Sequence, residues 1–127
     1  MTFEPMLFVR DVEVTSRWYQ SLLGVRSGHG GPHYEMLVDA DRRLLLQLHP
    51  AAASEHGVAR LVPGAAPGAG VLLYFLVDDV RAMHARAIAM GAVTEGAPTF
   101  VAQAGHTEFV VHDPDGYALA IYQRGQA

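Results

Sequence analysis

The feature that most restricts what this chain can fold into is a piece of local grammar that occurs twice. Met6-Leu7-Phe8-Val9 is a short apolar run of strand formers, leading through Arg10 to Asp11, whose carboxylate suits a helix N-cap. Val12, Thr15, Ser16, Tyr19, Leu22 and Leu23 then recur at helical spacing with Trp18 beside them, and Gly24 serves as the C-terminal stop. The same order returns from Val71 to Val77, with Asp78-Asp79 as the N-cap signal, Val80, Met83, Ala87 and Met90 at helical spacing, and Gly91 at the close. A shift of 68 residues sets Val9 on Val77, Asp11 on Asp79 and Val12 on Val80, while Gly24 falls one residue beyond Gly91. Strand, capped helix and glycine repeated in this way predict an internal duplication.

Strand-like material follows each helix. In the first half, Tyr34 to Val38 and Leu44 to Leu48 flank the turn Asp39-Ala40-Asp41-Arg42. In the second, the strands expected are Thr99 to Ala102, Glu108 to His112 and Tyr117 to Tyr122, the last two joined by Asp113-Pro114-Asp115-Gly116. That tetrad is a strong hairpin signal, because proline presets φ and glycine accepts the left-handed position. The stretch 51–70 is rich in Ala, Gly and Pro without a period and reads as a connection. A single domain over 1–127 is therefore expected: a first half at 1–50, a linker at 51–70 and a second half at 71–124.

Composition narrows the function. The chain has 127 residues, half of them apolar and 17% charged, enough for one packed core. Its formal net charge is −4 and no basic cluster exceeds Arg42-Arg43, so neither a nucleic acid nor an anionic membrane finds a stripe to hold. There are no cysteines, which removes disulfides, thiolate metal sites and a cysteine nucleophile. The N-terminal residues lack the pattern of a secretory signal, and a cytoplasmic protein is expected.

Three phrases carry a resemblance: Pro5-Met6-Leu7-Phe8-Val9-Arg10-Asp11-Val12, Trp18-Tyr19-Gln20-Ser21-Leu22-Leu23-Gly24, and Gly105-His106-Thr107-Glu108-Phe109 running on to Asp113-Pro114-Asp115-Gly116-Tyr117. In this order the sequence resembles the vicinal oxygen chelate superfamily, which holds glyoxalase I, extradiol dioxygenases, fosfomycin-resistance enzymes and bleomycin-binding proteins. The last phrase is most similar to the metal-free bleomycin-resistance-like branch, although Ala104-Gly105 stands where that branch often has Trp-Gly. The resemblance implies an α+β fold of two βαβββ repeats, forming a curved eight-stranded mixed sheet around a cavity with helices on the outer face. It also implies a homodimer, in some relatives with exchanged halves.

Metal-dependent relatives take four ligands, and the motifs align those slots with Glu4, Gln47, Leu72 and Ala120. Leu72 and Ala120 offer no donor atom, so neither a metal nor another cofactor is expected at these positions. Strand alternation then assigns a ligand-binding wall. Glu4, Met6 and Phe8 share one face, as do Leu45, Gln47 and His49; Leu72, Tyr74 and Leu76; and Ala118, Ala120 and Tyr122. Phe109 and Val111 are expected in the core, leaving Glu108, Val110 and His112 on the wall. His29, in Ser27-Gly28-His29-Gly30-Gly31, is read as part of a flexible loop; His56, His84 and His106 carry no motif, and a surface place is expected for His84. An apolar, aromatic wall with a few polar points suits an amphipathic or aromatic organic ligand held by area and stacking. The expected function is metal-free sequestration of such a small organic molecule. The alternative is a lyase, isomerase or dioxygenase that uses a relocated metal or acid–base chemistry at Glu4 or Glu108.

Overall fold

The computed structural model describes residues 1–52, 64 and 66–127. Most of the expected linker, including His56, lies outside the described residues. The chain divides into two compact units, Met1–Ala65 and Ala66–Ala127. Each carries one helix and four strands, so the eight strands form two four-stranded mixed sheets.

In the first unit the order along the chain is β1 (Met6–Val9), α1 (Val12–Leu23), β2 (Arg26–Ser27), β3 (Glu35–Val38) and β4 (Leu44–Pro50). In the second it is β5 (Leu73–Leu76), α2 (Val80–Ala89), β6 (Val93–Val101), β7 (His106–His112) and β8 (Ala118–Arg124). The sheets run β1-β4-β3-β2 and β5-β8-β7-β6, with the first strand parallel to the fourth and the other neighbours antiparallel. Identical topology in the two units is what a duplicated βαβββ module produces. Two segments escape the sequence pattern. Arg26–Ser27 pairs as a strand with Val38 and Leu37 although its neighbourhood reads as loop, and β6 begins at Val93 rather than Thr99.

Both helices start as their capping residues dictate. Asp11 Oδ1 accepts from the Val14 amide at 3.0 Å, and Asp79 Oδ1 accepts from the Ala82 amide at 2.9 Å. Val12, Thr15, Ser16, Tyr19 and Leu22 form the buried stripe of α1, and Val80, Met83 and Ala87 that of α2. Beneath α1 lie Leu7, Val9, Leu37, Leu46 and Leu48, all buried. On the helix-covered face of the second sheet lie Phe109, Val111, Leu119 and Ile121. His84, expected at the surface, is half-buried with its ring edge-on to Phe109 at 5.0 Å, because α2 packs directly over β7. Among the described residues no helix is long and apolar enough to cross a membrane.

The two fourth strands are entered through the same turn. Asp113 Oδ1 accepts from the amides of Asp115 and Tyr117, each at 2.9 Å, and Asp39 Oδ1 accepts from those of Asp41 and Arg43 at the same distance. The backbone bonds match as well: the Gly116 amide donates to the Asp113 carbonyl, and that of Arg42 to the Asp39 carbonyl. Both turns need a left-handed residue in the fourth position. The second unit places Gly116 there with φ 98°, whereas the first places Arg42 with φ 63°. A side chain at such a φ carries a steric cost that glycine lacks, partly offset by the greater freedom of glycine in the unfolded chain. Arg42→Gly is therefore expected to raise stability by about 0.5–1 kcal/mol in urea unfolding. An unchanged or lower midpoint would show that the position costs arginine nothing.

Candidate functional site

In the second unit, the strand pairing collects polar and aromatic side chains on the sheet face opposite α2. Phe109 and Val111 point toward the helix, so alternation along β7 sends His106, Glu108, Val110 and His112 the other way. Tyr74 and Val110 are both in register with Ala120, and Glu108 with Tyr122, which places all of these on that same face. Across it the Tyr74 phenol donates to Glu108 Oε2 at 2.6 Å, and His106 Nε2 donates to the same oxygen at 2.8 Å. Three rings surround this carboxylate. Tyr122 lies 4.7 Å from His106 and 5.1 Å from Tyr74 between centroids, and Tyr74 lies 5.9 Å from His106. Both hydrogen bonds end on Oε2, so Oε1 is without a partner among the described residues.

This arrangement fixes protonation. Burial pushes the Glu108 carboxyl up, but the hydrogen bonds from Tyr74 and His106 and the charge of His106 outweigh it, leaving its pKa lowered. The Tyr74 phenol is raised, first by its hydrogen bond to Glu108, then by burial and by the charge of Glu108. Near neutral pH the cluster therefore holds a carboxylate and a neutral phenol.

Other residues expected on the wall are placed differently. His112 sits four residues along β7 from Glu108, about 13 Å at strand rise. Its Nε2 is 2.9 Å from Glu95 Oε2 and its Nδ1 3.4 Å from the Gly116 carbonyl, so it ties β6 to the turn and stays apart from the cluster. Val110 is half-buried, Ala120 fully buried, and Leu72 and Tyr74 are exposed.

In the first unit, Met6 and Met36 are in register with Gln47, and Phe8 with His49, on the face opposite α1. Phe8 and His49 are buried together with centroids 5.1 Å apart, and His49 Nδ1 is 3.1 Å from the Pro50 carbonyl. Gln47 Oε1 accepts from the Tyr34 phenol at 2.6 Å, and its Nε2 donates to the Glu4 backbone carbonyl at 3.1 Å. The Tyr34 phenol is raised by burial, then by the charges of Glu4 and Glu35.

The superfamily's metal does not fit the four slots that the motifs align with its ligands. Gln47 spends its carbonyl oxygen on Tyr34, Leu72 and Ala120 carry only alkyl groups, and Glu4 alone retains a strong donor. Among the described residues, no group of three or more His, Cys, Asp or Glu side chains is gathered to hold an ion elsewhere.

The residue that sequence reading passed over is His106. It carries no motif, yet it precedes Glu108 by two on one strand, and that spacing alone puts both on the same face.

Comparison with known proteins adds the family. The profile of the Glyoxalase/Bleomycin resistance protein/Dioxygenase superfamily matches residues 3–121. A search of curated proteins finds no match. Among solved structures, a crystal structure of a protein of unknown function from Agrobacterium tumefaciens strain C58 is 26% identical, covering 97% of this chain and 94% of that one, with a TM-score of 0.76. A glyoxalase-related enzyme from Fulvimarina pelagi is 18% identical over 98% of this chain and 88% of its own, with a TM-score of 0.75. A glyoxalase/bleomycin resistance protein/dioxygenase from Nocardioides is 16% identical over 100% and 85%, also with a TM-score of 0.75. The duplicated βαβββ module and a family match over nearly the whole sequence agree: this chain belongs to the Glyoxalase/Bleomycin resistance protein/Dioxygenase superfamily.

Proposed function

We propose that this protein is a metal-independent binder that captures an aromatic, amphipathic organic molecule on the face of its second sheet opposite α2. The observation that carries this reading is the Glu108 cluster: an ionised carboxylate ringed by Tyr74, Tyr122 and His106, with one oxygen still unpartnered among the described residues. Tyrosine and histidine rings supply stacking area, and the free oxygen accepts one hydrogen bond from the guest. A fixed negative charge among aromatic faces favours a ligand with an N–H donor or a positive charge. The acid–base alternative draws less support, because a carboxylate whose proton affinity is lowered by two hydrogen bonds is a weak general base.

The reading extends to a cytoplasmic homodimer of single-domain chains. Titration calorimetry with 1-naphthylmethylammonium is the test. Saturable binding is expected, unchanged by chelator, with amide shifts around His106 and Tyr122. Binding that appears only after Zn, Ni, Mn or Fe is added would overturn metal independence. No binding at millimolar probe would remove the site.

A further inference from the structure

A separate concavity lies in the first unit, on the side of the sheet facing away from α1. It is a half-open cleft of about 390 Å³ between β2, β3 and the β3–β4 turn, and its lining is Arg26, Ser27, Gly28, Met36, Val38 and Arg42. Arg26 is in register with Val38, so its side chain leaves the sheet on the side opposite Ser27. Ser27 points the other way and donates to the buried Glu35 carboxylate at 2.7 Å. The floor is apolar and close-fitting. A Cβ on Gly28 would stand 3.0 Å from Met36 Cγ and 3.0 Å from Val38 Cγ1, so only glycine lets the rim lie this near the floor.

Three observations distinguish this cleft from an ordinary surface depression. Its rim is held from behind, because Glu35 Oε1 accepts from the amides of His29 at 3.1 Å and Gly30 at 2.9 Å. Its two cations are uncommitted: among the described residues neither the Arg26 nor the Arg42 side chain makes a hydrogen bond or ion pair. Nearby Asp39 is occupied by the amides of Asp41 and Arg43, which leaves Asp41 as the exposed acid of the turn. Finally, Arg42 occupies a left-handed position where the identical turn of the second unit has Gly116. An arginine kept at a strained backbone position, on the rim of a cleft with a second arginine, points to use rather than to folding.

We propose that this cleft binds an organic oxyanion, with the two guanidiniums holding a carboxylate or phosphate head and the Met36–Val38 floor covering an apolar body. The volume suits a molecule with one or two fused rings. Planar guanidinium forks match either head group by paired N–H donors. Its residues are other than those of the Glu108 cluster, and it takes the opposite charge.

The test uses the full chain and three probes of one shape: 1-naphthoate, 1-naphthyl phosphate and the neutral 1-naphthylmethanol. Calorimetry should give an affinity for at least one anion about tenfold above that of the alcohol, falling as salt is raised. Amide shifts should centre on Gly28, Met36 and Val38. Arg26→Gln and Arg42→Gln should each cost about threefold, and together they should erase the preference for the anion. Competition by acetate marks a carboxylate head, and competition by inorganic phosphate marks a phosphate ester. The proposal is overturned if anion and alcohol bind equally, if neither small anion competes, or if the double variant keeps its preference with an unchanged far-ultraviolet spectrum. It is also overturned if the anion shifts only residues around Glu108. Binding of 1-naphthylmethylammonium is measured separately, so loss of the arginine cleft leaves the reading of the Glu108 cluster to its own test.

Discussion

Glu35→Ala is expected to lower the stability of the protein by about 3 kcal/mol, a fall of roughly 10 °C in the thermal midpoint. Glu35 is 2% exposed, and no other carboxylate among the described residues is set so deeply against a helix. It accepts from Ser16 at 2.8 Å, Ser27 at 2.7 Å, the amides of His29 and Gly30, and its own neighbour Met36. Removing it takes the acceptor from the hydroxyl of Ser16, buried on α1 and left only with the bond it accepts from Gln20, and frees the loop that forms the rim of the arginine cleft. Glu35→Gln keeps the shape but turns an amide NH₂ toward donors, so it should cost about half as much.

Acid supplies a second readout with a definite sign. Burial pushes the Glu35 carboxyl up, and the hydrogen bonds from Ser27, Gly30, Ser16 and His29 more than reverse this, leaving its pKa lowered. The native state therefore binds its proton less readily than the unfolded chain. The stabilisation is fully present above the ordinary carboxylate range and is lost as pH falls through the lower native value. The gap between wild type and Glu35→Ala, measured by urea unfolding, should accordingly narrow as pH is taken down from 6. A gap that is constant with pH would mean that folding leaves the carboxyl pKa of Glu35 where it is in the unfolded chain, and a gap that widens would mean that burial outweighs the hydrogen bonds.

The duplicated grammar was legible because it lives in short-range signals. Asp11 and Asp79 cap helices whether or not the rest of the chain is known, and the apolar spacing after them names the buried stripes. The turn at Asp113 was equally plain, and its twin at Asp39 was read as a turn too, although Arg42 stands where glycine is the usual signal. Strand β2 escaped for a different reason. Its two residues are held by a partner strand and by Glu35, both long-range interactions, inside a sequence whose own preference is for a loop. The candidate site divides along the same line. Alternation sufficed to place Tyr74, Glu108, Val110, Ala120 and Tyr122 on one face, because period-two geometry needs only the strand to be recognised. Which of them touch depends on register between strands. Thus His106 joined the cluster and His112, on the same face, was drawn off by Glu95.

Glu108→Gln should separate the chemistry of the cluster from its shape. The amide preserves the side-chain outline and can still accept from Tyr74, but it carries no charge. The Tyr74 phenol owes its raised pKa first to the hydrogen bond with Glu108 and also to that residue's charge, so its ionisation should move back toward the ordinary tyrosine range. Ultraviolet titration of wild type and variant reads this shift, with Tyr74→Phe identifying the transition. Affinity for 1-naphthylmethylammonium should fall about tenfold or more, the scale of a hydrogen bond to a charged group. Stability should change little, because Tyr74 is half exposed and water can reach the groups that lose their partner. The affinity of the anionic naphthyl probes, bound elsewhere, should be unaffected. An unshifted tyrosine titration would show that the Tyr74–Glu108 hydrogen bond does not persist in solution. A shifted titration with undiminished affinity would instead show that the ligand is held by the rings alone, leaving Glu108 to position Tyr74 and His106 without touching the guest.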